Sequence, residues 1–171
     1  MNLTSEQMNK VLEEEKSSKS RFGKIKEVIL KELKTGTAPE KIALSLTLGA
    51  AIGVFPLIGT TMALTALLGF LLRLNPISIQ LANYAVYPFQ VLLLIPFLQL
   101  GASITGAELN LEWAYRFVEG DPSLLWQGLS VSAMYAVLGW GSLVPILGIV
   151  SYIAILPAVR KIDKMLKVKK K

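Results

Sequence analysis

Residues 37–76 read TAPEKIALSLTLGAAIGVFPLIGTTMALTALLGFLLRLNP, and the 31 residues between Lys41 and Arg73 carry no charge. About 20 apolar residues cross a bilayer core as a helix, and a buried soluble helix rarely avoids charge for so long. Thr37 with Glu40 three residues on has the form of a capping box, and Pro39 suits a first helical turn, where no amide partner is needed. A helix is therefore predicted from about Ala38. Within it Ser45, Gly49 and Gly53 recur every four residues, a small-residue face that lets another helix lie close; Gly49 to Gly53 is also a GxxxG match. Phe55-Pro56-Leu57-Ile58-Gly59 then interrupts, because Pro56 removes an amide donor and Gly59 accepts backbone angles other residues avoid. A second segment runs from Thr60 to Leu72, with Thr61, Thr65 and Gly69 again four apart. Each piece is short for a crossing, which favours a hairpin returning to its own side. One long helix kinked at Pro56 is the alternative.

Charge placed outside this stretch favours the hairpin. Two more uncharged gaps follow, of 34 residues between Arg73 and Glu108 and 38 between Asp121 and Arg160. Residues 1–41 carry nine Lys/Arg and seven Glu, residues 160–171 seven Lys/Arg and one Asp, and residues 101–129 one Arg and four acids. Basic segments stay on the cytoplasmic side. A single crossing by 42–72 would put the two lysine-rich ends on opposite sides; a re-entrant hairpin keeps both inside and the acidic loop outside. The expected division is a polar arm with an amphipathic surface helix over 1–36, a membrane domain over 37–159 and a basic cytoplasmic tail over 160–171. Apolar segments are expected at about 38–55, 60–73, 77–100 and 130–159, with 101–129 as the outer loop. The fold class is thus an all-α integral membrane protein: an amphipathic N-terminal helix, a Pro-broken re-entrant or kinked hairpin, and two further transmembrane segments.

The flanks add detail. The start, 1–41, is charged and lacks an apolar run, which argues against a cleavable signal peptide. Phe22, Ile25, Ile29 and Leu33 form a stripe with Lys24, Lys26, Lys31 and Lys34 around it, the pattern of a helix lying on an anionic membrane surface; packing on another part of the protein is the alternative. Asn75-Pro76 has the form of an N-cap with proline at the first helical position. Gln80, Asn83, Tyr87 and Gln90 share a helical face, as glue between helices or as the lining of a polar pathway, since lipid offers amides no partners. Trp113, Tyr115 and Phe117 among acids suit a short interfacial helix. The last span is expected to break at Gly139-Trp140-Gly141 and at Pro145. Val144-Pro145-Ile146-Leu147-Gly148 echoes the first break, and Pro145 and Gly148 would then match Pro56 and Gly59. Paired broken helices mark transporter sites, although chance also explains five common residues.

With neither cysteine nor histidine in the chain, thiol nucleophiles, disulfides, zinc clusters and imidazole chemistry are excluded. The apolar segments hold no Asp or Glu either, so the chain is expected not to be an enzyme, with no catalytic residue, metal or cofactor. The basic tail has no interleaved aromatics, which disfavours nucleic acid. Expected partners are anionic lipid headgroups at the basic ends and a homo-oligomer or membrane protein partner. Arg73, Asn75, Gln80, Asn83 and Tyr87 are the candidate polar pathway or headgroup site. A small transporter or lipid-handling component is the first functional expectation; a non-catalytic scaffold or partner subunit is the alternative.

Ala38 to Ala43, Gly49 to Gly53, Phe55 to Gly59, Leu72-Arg73-Leu74-Asn75-Pro76 and the Asn83 to Pro88 stretch before Gly101 together resemble a bacterial membrane family, domain of unknown function 2062. Here Asn83 and Pro88 stand apart, where that family tends to place Asn and Pro together. The resemblance implies a small multi-spanning domain of the bacterial inner (cytoplasmic) membrane with no established activity.

Overall fold

The computed structural model describes residues 23–168. The acidic run near residue 14, Phe22 and the last three lysines lie outside the described residues. Among the described residues every regular element is a helix. They are α1 (23–34), α2 (Pro39–Gly53), α3 (Thr61–Leu71), α4 (Pro76–Thr105), α5 (Glu112–Val118) and α6 (Leu125–Val168).

The expected break is present: α2 ends at Gly53, α3 begins at Thr61, and Gly59 takes φ +90° between them. Contacts with α4 show that α2 and α3 run antiparallel. A Cβ placed on Gly49 would come 2.8 Å from Ala82 Cβ, and one on Gly53 2.9 Å from the Asn83 carbonyl oxygen, so α2 runs parallel to α4. Thr65 meets Asn83, whereas Gly69, four residues later, meets Ile79. The pair is a hairpin laid along the first half of α4. Its open end, called the base here, brings Thr37, Ala38 and Lys41 beside Arg73, Leu74 and Asn75.

α6 returns antiparallel to α4. Gly101 packs on the Tyr135 backbone and Gly139 on the Phe97 backbone. Further along, Gly148 nears Thr47, and Arg160 reaches Glu40 of α2 at the base with a 2.7 Å ion pair. At about 1.5 Å per residue α4 is ~45 Å long and α6 ~66 Å, whereas α2 and α3 reach only ~22 and ~16 Å. Among the described residues, α4 and α6 are long and apolar enough to cross a membrane, with mean hydropathy 1.6 and 2.2 over their richest windows. Only 22% and 11% of those windows are buried in the protein.

Three expectations are corrected. α6 does not break: it stays helical through Gly139-Trp140-Gly141, Pro145, Gly148 and Pro157, and one face of it rests on α4 at Gly139 and comes near α2 at Gly148. The echo of the first break is therefore no duplication. The capping box does not form either. The helix starts one residue later, with Ala38 as an uncapped N-cap and Pro39 at its first position, and Glu40 is drawn away to Arg160. Finally, the apolar stripe of α1 turns inward. Leu33 is buried, and Ile25 and Ile29 pack with it against Ile42, Leu46, Val159 and Ile162. Joining this cluster removes the stripe from water without a membrane.

Candidate functional site

The α3–α4 turn is where local chemistry and global geometry conflict. The Leu74 amide donates to the Gly69 carbonyl (2.8 Å) and the Arg73 amide to that of Phe70 (3.1 Å). This Schellman closure needs a left-handed residue at the position Arg73 fills, where glycine is the usual choice. Arg73 has φ +51°, and no other non-glycine among the described residues has a positive φ. A left-handed L-residue costs roughly 1–2 kcal/mol. The turn is held regardless, because Leu74 is buried and Asn75 caps α4 by accepting from the Ile77 amide at 2.8 Å.

Two clefts meet at Arg73. One, of about 500 Å³, is lined by Gly36, Thr37, Lys41, Leu74 and Asn75 with it; the other, of about 690 Å³, by Gly69, Phe70, Pro76 and Gln80. Among the described residues neither is lined by an acid. Arg73 and Lys41 are both exposed, and the start of α4 turns its positive dipole end to the same place. Glu40, the nearest acid in sequence to Lys41, is engaged by Arg160. The arrangement gathers two exposed cations at the base, between the positive start of α4 and the negative end of α3.

The five residues expected to form one polar pathway do not line one continuous space. Arg73 and Asn75 share the first cleft, and Gln80 joins Arg73 in the second. Asn83 is buried away from both, donating weakly to Thr65 (3.4 Å) and Gln80 (3.5 Å). Tyr87 turns outward, 49% exposed. Gln80 also donates to the Met62 carbonyl at 3.1 Å. The amides therefore join α3 to α4.

Gln90, from the same face, and Trp140 of α6 have a particular use at the hairpin tip. Pro56 and the tightened last turn leave carbonyls of α2 without helical donors. The Phe55 amide goes to Ile52 (2.8 Å) and not to Ala51; the Trp140 indole N–H then donates to Ala51 (3.0 Å), and the Gln90 amide to Phe55 (2.6 Å). Phe55 and Trp140 also meet edge to face at 4.9 Å. The break is thus served by two other helices, which sequence reasoning missed for Trp140. It also missed Lys41, whose signal was available: it is the last charge before the gap that Arg73 closes. Glu32 had no such signal. It is 4% exposed, and its carboxylate accepts from the Ser78 hydroxyl in the first turn of α4. Burial pushes its pKa above the usual carboxylate range, partly offset by that hydrogen bond.

At the opposite end, Trp113 of α5 packs on Gly128, and Arg116 bonds Glu112 (2.8 Å) and Asp121 (3.6 Å). No curated protein and no solved structure matches the chain. The family described as "Uncharacterized protein conserved in bacteria (DUF2062)" matches residues 23–166, from the start of α1 as described to the last turn of α6. The chain belongs to the DUF2062 family.

Proposed function

We propose that the chain is an integral protein of the bacterial inner membrane that holds an anionic lipid headgroup in the Arg73–Lys41 basin, as the binding step of lipid handling or transport. The outward apolar surfaces of α4 and α6 support the membrane reading, since a soluble core helix would bury most of such a window and these bury 22% and 11%. With those two helices spanning, the hairpin enters from the base and returns to it, because α2 and α3 are each shorter than the ~30 Å hydrocarbon core. The base carries Lys41, Arg73, Arg160, Lys161, Lys164 and Lys167, and the opposite loop carries Glu108, Glu112, Glu119 and Asp121. Both ends of the chain are then cytoplasmic. The activity needs no covalent chemistry and no cofactor.

One observation carries the headgroup reading: an arginine holds the left-handed position that glycine would fill without strain, and it does so beside a second cation in a cleft that no acid lines among the described residues. Backbone strain retained at one residue points to use of its side chain. Two long helices and a hairpin enclose little space, so transport would need an oligomer. The scaffold alternative loses its main support, because Gly49 and Gly53 are already occupied by α4 within one chain. The test is native mass spectrometry of the protein with phosphatidylglycerol or cardiolipin. Arg73→Gly should lose retained anionic lipid at least ~5-fold at unchanged fold; equal retention removes the proposal.

A further inference from the structure

A separate cleft of about 290 Å³ lies between α2, α4 and α6, on a part of α2 away from Arg73. Its walls include Ala51, Val54, Phe97 and Leu147, with Thr47, Gly148 and Ser151. No charged residue lines it. Thr47 is 5% exposed, and its hydroxyl has no hydrogen-bond partner. Ser45 and Thr65, on equally buried helical faces, bond back to the Lys41 and Thr61 carbonyls of their own helices, both at 2.8 Å. A buried hydroxyl without a partner costs roughly 1–3 kcal/mol, so a bound group that offered an acceptor there would be favoured.

Water does not meet that need well. A buried water requires two to four polar partners, and the lining supplies only the hydroxyls of Thr47 and Ser151 as side-chain polar groups. Hydrocarbon fills the rest at no cost in hydrogen bonds. Thr47 lies seven residues inward of Glu40, ~10 Å along α2, within reach of a lipid chain entering between α2 and α6. The lining is mostly aliphatic, which suits a hydrocarbon chain.

We propose that this cleft is a binding site for one acyl chain of a membrane phospholipid, whose ester carbonyl accepts from the Thr47 hydroxyl. The site rests on the membrane reading above but not on the Arg73 basin. Thr47 fixes the depth of the carbonyl, and the small residues Ala51 and Gly148 leave width for the chain. A lipid seated here stands apart from the bulk bilayer and ties the hairpin to α6.

The test uses the full-length protein in vesicles containing phosphatidylglycerol with a mid-chain diazirine, irradiated and mapped by mass spectrometry. Adducts are expected on cleft residues such as Val54 and Leu147, and also on Ile149 and Ile153, which are 64% and 65% exposed on α6. Thr47→Val, which keeps the side-chain shape, should cut cleft adducts at least ~3-fold, and Ala51→Leu at least ~5-fold, with Ile153 labelling unchanged. Labelling confined to Ile149 and Ile153 overturns the cleft site and leaves the membrane reading intact. Absence of adducts on all of them overturns the membrane reading itself. Displacement of cleft adducts by a prenyl lipid, but not by excess unlabelled phosphatidylglycerol, overturns the acyl assignment.

Discussion

Gly139 and Gly141 lie two residues apart on α6, and replacing each by alanine isolates the α4–α6 crossing. A Cβ on Gly139 would stand 2.9 Å from the Phe97 carbonyl carbon and closer still to its oxygen, whereas one on Gly141 would meet nothing within 4 Å. Carbon pairs rest at about 3.5–4.0 Å, so the crossing must open by roughly 1 Å. The mirror contact, Gly101 against Tyr135, prevents relief by a small slide, since a Cβ there would lie 2.8 Å from Tyr135 Cα. An opening of that size forfeits a quarter to a half of each contact worth ~0.1–0.2 kcal/mol; over a few tens of atom pairs the loss is ~1–3 kcal/mol. That agrees with the general cost of overpacking, ~1–3 kcal/mol. Both variants gain the same ~1 kcal/mol of helix propensity, so it cancels in their difference. Gly139→Ala should therefore be ~1–3 kcal/mol less stable than Gly141→Ala in reversible detergent unfolding followed by circular dichroism. A difference below ~0.5 kcal/mol would refute the close crossing.

Other consequences are simpler to state. Gln90→Leu strands the half-buried Phe55 carbonyl but also removes the unpartnered Gln90 Oε1, and Trp140→Phe keeps the ring contact but loses the bond to Ala51; each should cost about 1 kcal/mol, read in the same unfolding assay. Arg73→Gly relieves the left-handed strain and should raise stability by ~1 kcal/mol while losing anionic lipid, a split that a merely structural arginine would not produce. Glu32 has its pKa raised by burial, so the docking of α1 is favoured by the protonated form at low pH and weakens as pH rises through that raised value. Glu32→Gln should accordingly raise the unfolding midpoint at pH 8 and leave it unchanged at pH 4, as measured by thermal melts.

How far the residues could be read depended on whether a feature was local. The Asn75-Pro76 start of α4 was legible because an N-cap is decided within three residues, and it bonds the Ile77 amide as expected. The small-residue faces of α2 and α3 were legible as faces, since four-residue spacing aligns them whatever they meet. What they meet was not: both serve α4 inside one chain. The stripe on α1 was visible, but a stripe seeks any apolar surface, and the cluster of Ile42, Leu46 and Val159 was unknown without the fold. Arg73 was picked out by its charge. Its backbone strain was invisible, because the left-handed angle is imposed by the burial of Leu74 and the capping by Asn75 that follow it.

The two proline pentapeptides show why a break cannot be assigned from the proline alone. A proline inside a helix removes one bond and clashes with a carbonyl, at a cost of about 3 kcal/mol, whether or not the helix continues. The outcome turns on what each alternative offers the freed carbonyls. At Pro56 the broken form is supplied with the Trp140 indole, the Gln90 amide and a glycine free to take φ +90°. At Pro145 the helical form keeps Val144 buried and Gly148 against Thr47, contacts that a second hairpin would forfeit. It follows that the hairpin tip depends on the α4–α6 crossing, since Trp140 reaches Ala51 from α6 beside Gly139, which packs on Phe97. The straight helix and the broken one are thus two parts of one arrangement, and a change that lifted Gly139 off Phe97 would also open the tip at Phe55.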